Sequence, residues 1–101
     1  MDMNKMMKQV AKMQAELAKA QEELAEEEIE GTAGGGIVKV KVSGGGEFLS
    51  VSIQPSAIDP DDPSLLEDLV LAAINDAQRE QQALMQERLG PLTGGLGIPG
   101  L

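Results

Sequence analysis

From Met3 to Leu24 the apolar residues fall at Met3, Met6, Val10, Met13, Leu17, Ala20 and Leu24. The steps alternate between three and four, which puts them all on the a and d positions of a heptad and predicts one unbroken amphipathic helix. Strong helix formers fill the other positions, and no Gly or Pro interrupts them. Glu22, Glu23, Glu26, Glu27, Glu28 and Glu30 then crowd the chain. Negative charge is unfavourable at a helix C-terminus, so the helix is expected to fray there into a short strand over Glu28 to Ala33, with Ile29 inward.

The pattern next changes to strict alternation. Between Ile37 and Val42, Val38, Val40 and Val42 share one strand face, and Lys39 and Lys41 share the other. Between Glu47 and Ile53 the same pattern sets Leu49, Val51 and Ile53 against Ser50 and Ser52. Gly34-Gly35-Gly36 and Gly44-Gly45-Gly46 separate the strands as turns. The expectation is a three-stranded antiparallel meander with one buried and one polar face.

A loop marked by Pro55, Pro60 and Pro63 leads to a second helix, with Asp62 as N-cap and Pro63 at its first position. A start two residues later would make Ser64 and Glu67 a capping box. Leu66, Leu69, Val70, Ala73 and Ala77 form its core face, and Gln78 to Gln82 read as exposed. Leu84, Met85 and Leu89 resume an apolar edge, and Gly90-Pro91 reads as the stop. The fold class is therefore α+β: a long N-terminal helix, a meander sheet and a long C-terminal helix. Residues 1–89 form a single domain, and 90–101 a flexible tail rich in Gly and Pro.

Lengths add a constraint. Helices of ~22 and ~26 residues extend roughly 33 and 39 Å, whereas strands of this size span about 20–23 Å. The helices must overhang the sheet. A bare a/d seam is also narrower than the stripe of a helix packed only on its own domain. Either the first helix packs along the second as an antiparallel arm, or the arms of two subunits engage. The weak apolar edge of the second helix beyond Ala77 favours a homodimer, with Met3, Met6, Val10, Met13, Leu17 and Leu24 as the packing residues.

Composition narrows the chemistry. The 101 residues contain no His, Cys, Trp or Tyr, and Phe48 is the one aromatic. The usual zinc, copper and iron ligand sets are missing, as are thiol and imidazole for covalent or acid–base work. No enzyme activity, metal or cofactor is expected. Lack of cysteine fits a reducing cytoplasm, and neither a signal peptide nor a membrane span is expected. The net charge of −9 opposes a polyanionic partner on average.

Several motifs have plainer explanations than a site. Both Gly triplets lead into strands, whereas a phosphate-binding loop must open a helix. Pro60 and Pro63 break any calcium-loop spacing among Asp59, Asp61 and Asp62. Glu67, Asp68 and Asp76 have no partner pattern that would tune a catalytic pair. Lys5, Lys8, Lys12 and Lys19 form a stripe opposite the apolar seam. Within residues 1–20 they face only Asp2 and Glu16. Such a stripe suits either an ordinary solvated helix face or phosphate contact that weakens as salt rises. Lys39 and Lys41 share a strand face that would extend it, whereas Arg79 and Arg88 lie on opposite sides of their helix.

The segments MMKQVAKMQ, EGTAGGGIVKVKVSGGGEFLSVSI and PSAIDPDDPSLLEDLVLAAINDA occur in an order and spacing that resemble the YbaB/EbfC family of bacterial nucleoid-associated proteins, over about residues 3–89. The resemblance implies a helix–three-strand–helix fold, a tweezer-like homodimer with projecting helices and binding of double-stranded DNA in the bacterial nucleoid, with a role in nucleoid organisation or gene regulation. It implies DNA contacts on the projecting helices: Lys5, Lys8 and Lys12, then Lys19, Arg79 and Arg88. No membrane or small-molecule substrate is implied. The alternative is a protein-interaction module that docks a partner through the Met-rich seam or the apolar tail.

Overall fold

A computed structural model describes residues 2–93 of the chain. Helix α1 spans Met3–Glu26, strands β1, β2 and β3 span Glu28–Ala33, Val38–Ser43 and Phe48–Ile53, and helix α2 spans Pro63–Thr93. A single 3-10 turn, Pro55–Ala57, lies between β3 and α2. The sheet is an antiparallel meander in the order β1-β2-β3. This is the α+β architecture that the hydrophobic pattern predicts.

Local chemistry sets the boundaries. The Asp2 carboxylate accepts the Asn4 N–H at 3.1 Å and caps α1. At the other end the chain turns extended at Glu27, amid the acidic run. Gly34, Gly35 and Gly36 all have positive φ, so the first hairpin needs residues without a Cβ penalty at three successive positions. Helix α2 starts at Pro63, and the Ser64 hydroxyl donates to the Asp62 carboxylate at 2.8 Å.

The far end of α2 departs from expectation. Gly90-Pro91 does not stop the helix, which runs through Pro91 to Thr93. Proline removes one donor, the one that would reach Glu87 on an exposed turn where water can replace it. Half-buried Leu89 and Leu92 hold the segment in place, so packing overrides the local stop. The predicted tail beyond this point, residues 94–101, lies outside the described residues.

The core is small. Its fully buried side chains are Val38, Val40 and Val42 of β2, packed with Ala57, Ala73 and Ala77. Ile29, Ile53, Leu66, Leu69, Val70 and Ile74 close around them. Small residues let α2 lie almost on the backbone of β1: a Cβ on Gly31 would overlap the Ala77 amide nitrogen and sit 2.5 Å from the Ala73 carbonyl. Helix α2 therefore covers β1 and β2 and leaves β3 largely bare. Leu49 and Val51, expected to face the core, are 45% and 53% exposed; of that predicted trio only Ile53 packs against the core.

A second correction concerns Gln81, expected in an exposed polar stretch. It is buried, and its side-chain amide donates to the Gly44 carbonyl at 2.7 Å. The Gly44 N–H donates to the Glu27 carbonyl at 2.9 Å, which ties the end of α1 to the second turn. This junction anchors α1 by one end only. The molecule measures 71 × 23 × 16 Å as a result.

Candidate nucleic-acid interface

Helix α1 is covered only along its C-terminal third. Leu24 is buried, and Leu17 and Ala20 are half-buried. Every described residue before Leu17 is exposed, so the first half of α1 projects as an arm. On one side of the arm, Met3, Met6, Met7, Val10, Ala11 and Gln14 line a shallow groove. On the reverse side stand Lys5, Lys8, Lys12 and Lys19, all exposed.

The cations divide cleanly into two groups. Lys39 lies 3.7 Å from Glu30, and Lys41 lies 3.9 Å from Glu28, pairs formed between neighbouring strands. Arg79 lies 3.5 Å from Asp76, whose other carboxylate oxygen accepts the Thr32 N–H at 2.9 Å. Arg88 lies 2.6 Å from Glu27. The remaining cations, Lys5, Lys8, Lys12 and Lys19, have no ion-pair partner among the described residues. Lys39 and Lys41 are thus partly neutralised and do not extend the stripe. Arg79 and Arg88 lie apart from it, each beside an acid.

The i,i+3 pairing of Arg79 with Asp76 is readable from the sequence alone. The Arg88–Glu27 pair is not, because it depends on where α2 crosses the end of α1.

Distance explains how a basic arm coexists with a charge of −9. Along the same helix face the lysines give way to Glu22 and Glu26. Lys12 stands ten residues before Glu22, about 15 Å along the axis. That exceeds the ~8 Å Debye length at physiological ionic strength, so the tip is largely screened from the acidic body. Lys19 has three acids within one turn, Glu16, Glu22 and Glu23, whereas Lys12 has only Glu16, Lys5 only Asp2 and Lys8 none. The usable positive charge is concentrated at Lys5, Lys8 and Lys12.

A model of the YbaB/EbfC DNA-binding family matches residues 1–96. The chain belongs to this family. YbaB/EbfC proteins form a DNA-binding family, not an enzyme family. Among curated relatives, a nucleoid-associated protein of Staphylococcus aureus strain JH9 is 60% identical over 100 residues, covering 99% of this chain and 95% of its own length. Another, from Desulforamulus reducens, is 56% identical with the same coverage of both chains. An uncharacterised Helicobacter pylori protein of known structure superposes with a TM-score of 0.73 at 23% identity, covering 95% of this chain and 98% of that one. This last likeness shows a shared fold. None of the helices among the described residues is long and apolar enough to cross a membrane.

Proposed function

We propose that this YbaB/EbfC protein binds double-stranded DNA as a homodimer, through phosphate contacts from Lys5, Lys8 and Lys12 on each projecting arm. It acts in the bacterial cytoplasm as a nucleoid-associated protein, in nucleoid organisation or gene regulation, as the names of its relatives suggest. The observation that carries this reading is the grouping of all cations without an ion pair, among the described residues, on one face of a projecting helix. Lys19 contributes less because of its acidic neighbours. Arg79 and Arg88 contribute only after leaving Asp76 and Glu27.

Phosphate contacts position a protein on a duplex but carry no sequence information. The arm carries no arginine, and its amide side chains of a base-reading type are Asn4, Gln9 and Gln14; with its lysines on phosphates, binding is read as largely independent of sequence. Two arms per dimer supply the valence that one short stripe lacks. The test is a fluorescence-anisotropy titration of labelled duplex at several salt concentrations. Wild-type protein should bind more weakly as salt rises, and the Lys5→Ala/Lys8→Ala/Lys12→Ala variant should lose most of that binding. Salt-independent binding, or full binding by the variant, would refute the assignment.

A second reading has its own observation: the opposite face of the arm exposes Met3, Met6, Met7 and Val10 around the shallow groove. Leu17 and Leu24 pack within their own protomer, so only Met3, Met6, Val10 and Met13 of the predicted seam are open to another molecule. Methionine surfaces adapt to varied apolar partners. Capture of one stoichiometric protein, abolished by Met6→Lys/Val10→Lys and retained by the lysine variant, would favour this use of the arm.

A further inference from the structure

The side chains open to oxidation are gathered at the arm. The chain has no Cys, Trp, Tyr or His, so methionine is the residue type that a hydroperoxide can attack. Met1, Met3, Met6, Met7 and Met13 fall within the first 13 residues, and Met85 is the only other. Met3 is 74% exposed, Met7 65% and Met6 45%, against 36% for Met13 and 37% for Met85. We infer that Met3, Met6 and Met7 are a modification site, oxidised to sulfoxides by hydroperoxides, and that the change loosens the arm and weakens its hold on DNA. The inference rests on the DNA reading above and adds a control to it.

The chemistry is a two-electron oxygen transfer. A lone pair of the thioether sulfur attacks the terminal peroxide oxygen, and an S–O bond forms as the O–O bond breaks. The proton of the transferred hydroxyl passes to the leaving oxygen, which departs as an alcohol or as water. Sulfur is oxidised by two electrons and the peroxide is reduced by two. Attack requires access to the sulfur, so the order of oxidation follows exposure. Thiol-dependent sulfoxide reductases reverse the step.

The consequence follows from how little else supports the arm. Every described residue before Leu17 is exposed, and Met3, Met6, Met7 and Val10 line one groove with Ala11 and Gln14. Met3–Met6, Met3–Met7, Met6–Val10 and Met7–Val10 stand three or four residues apart, the spacing at which helical side chains support each other. A free helix of this length is marginal in water. A sulfoxide is polar and takes up water in place of an apolar neighbour. Loss of these pairs shifts the outer turns about tenfold toward coil.

The lysines are untouched by this change. They occupy the reverse side of the helix, and a sulfoxide carries no net charge, so the arm keeps its cations and loses their alignment. An unwound arm does not hold Lys5, Lys8 and Lys12 on one face, and DNA must first rewind it. Oxidation therefore lowers affinity without changing the number of phosphates neutralised. Loss of a lysine changes both.

The test treats the full chain with dilute hydrogen peroxide, maps the added oxygen by peptide mass spectrometry and repeats the duplex titration. Met3 and Met7 should gain oxygen first and Met6 next, with Met13 and Met85 behind. Helical circular dichroism should fall while the thermal midpoint of the body holds. DNA affinity should drop about tenfold at every salt concentration with the salt slope kept, and a methionine sulfoxide reductase should restore it. Met3→Leu/Met6→Leu/Met7→Leu keeps the apolar pairs without the sulfur, so its DNA affinity should no longer respond to peroxide. Oxidation of Met85 as fast as Met3, oxidised protein with unchanged helicity and affinity, or a leucine variant as sensitive as wild type would each overturn the inference. Unmodified protein that fails to bind duplex overturns the DNA reading instead, and the order of oxidation and the loss of helicity then still decide whether the arm is the oxidised segment.

Discussion

The Gln81 side-chain amide reaches 2.7 Å to the carbonyl of Gly44, across the junction of α2, the second turn and the end of α1. Both residues are buried, so the bond has no water to replace it. Gln81→Leu keeps much of the volume and strands the Gly44 carbonyl. We expect a loss of about 1–3 kcal/mol, visible as a lower urea midpoint at unchanged m-value. An unchanged midpoint would mean that the junction holds without this bond.

Gly31 tests the packing of α2 on β1. Its missing Cβ is filled by α2 backbone, at Ala77 and Ala73, and backbone cannot swing aside as a side chain can. Gly31→Ala should therefore cost at least the ~1–3 kcal/mol typical of overpacking, read from thermal unfolding. Gly35 makes a useful contrast. A Cβ there meets nothing within 4 Å, but φ is +73°, so Gly35→Ala should cost about 1–2 kcal/mol from the left-handed backbone alone.

If each lysine at the arm tip neutralises one phosphate, removing Lys5, Lys8 and Lys12 should lower the slope of log affinity against log salt by about 2.7 for each arm engaged. Lys39→Ala/Lys41→Ala should change the slope little, because Glu30 and Glu28 already partner these residues. Below roughly 10 mM salt the Debye length reaches about 30 Å, and the acidic body regains influence over the tip. The wild-type plot should flatten there. Equal effects from the two variants would argue against a tip-centred contact.

Glu27→Gln isolates the role of Arg88. The pair is partly exposed, at 43% for Arg88 and 35% for Glu27, so its loss should cost at most about 1 kcal/mol of stability. The freed guanidinium should raise DNA affinity. Glu26→Gln removes the same charge one residue away without releasing Arg88, so the difference between the two variants in the anisotropy titration reports the arginine. No difference would leave Arg88 outside the interface.

Much of the fold was legible because each signal was local. The 3-4 spacing marked α1, alternation placed Val38, Val40 and Val42 in the core, and Pro63 opened α2. What escaped depended on where elements meet. Gln81 sits in a polar run, and nothing in that run says that Gly44 will lie above it. Leu49 and Val51 alternate as convincingly as the valines of β2. Whether a helix covers them depends on the Gly31–Ala77 approach, which seats α2 over β1 and β2. Pro91 carried a valid local stop signal that half-buried Leu89 and Leu92 outweighed. In the candidate interface, the lysine stripe was readable from heptad positions. The pairing of Lys39, Lys41 and Arg88 with acids required the strand register and the helix crossing.

The one-ended anchoring of α1 gives the arm a variable length. Before Leu17 the helix has no half-buried residue, so its turns are held by their own hydrogen bonds and the Asp2 cap. A free helix of about 12–15 residues is marginal in water, so the outer turns should unwind and rewind while the sheet stays intact. Hydrogen exchange should then be fast from Lys5 to Gln14 and slow in β2, and DNA should slow the first group selectively. Uniform protection along α1 in the free protein would contradict this. Part of the energy of DNA contact would go into winding the arm, which makes it an adjustable feeler whose reach is set by what it touches.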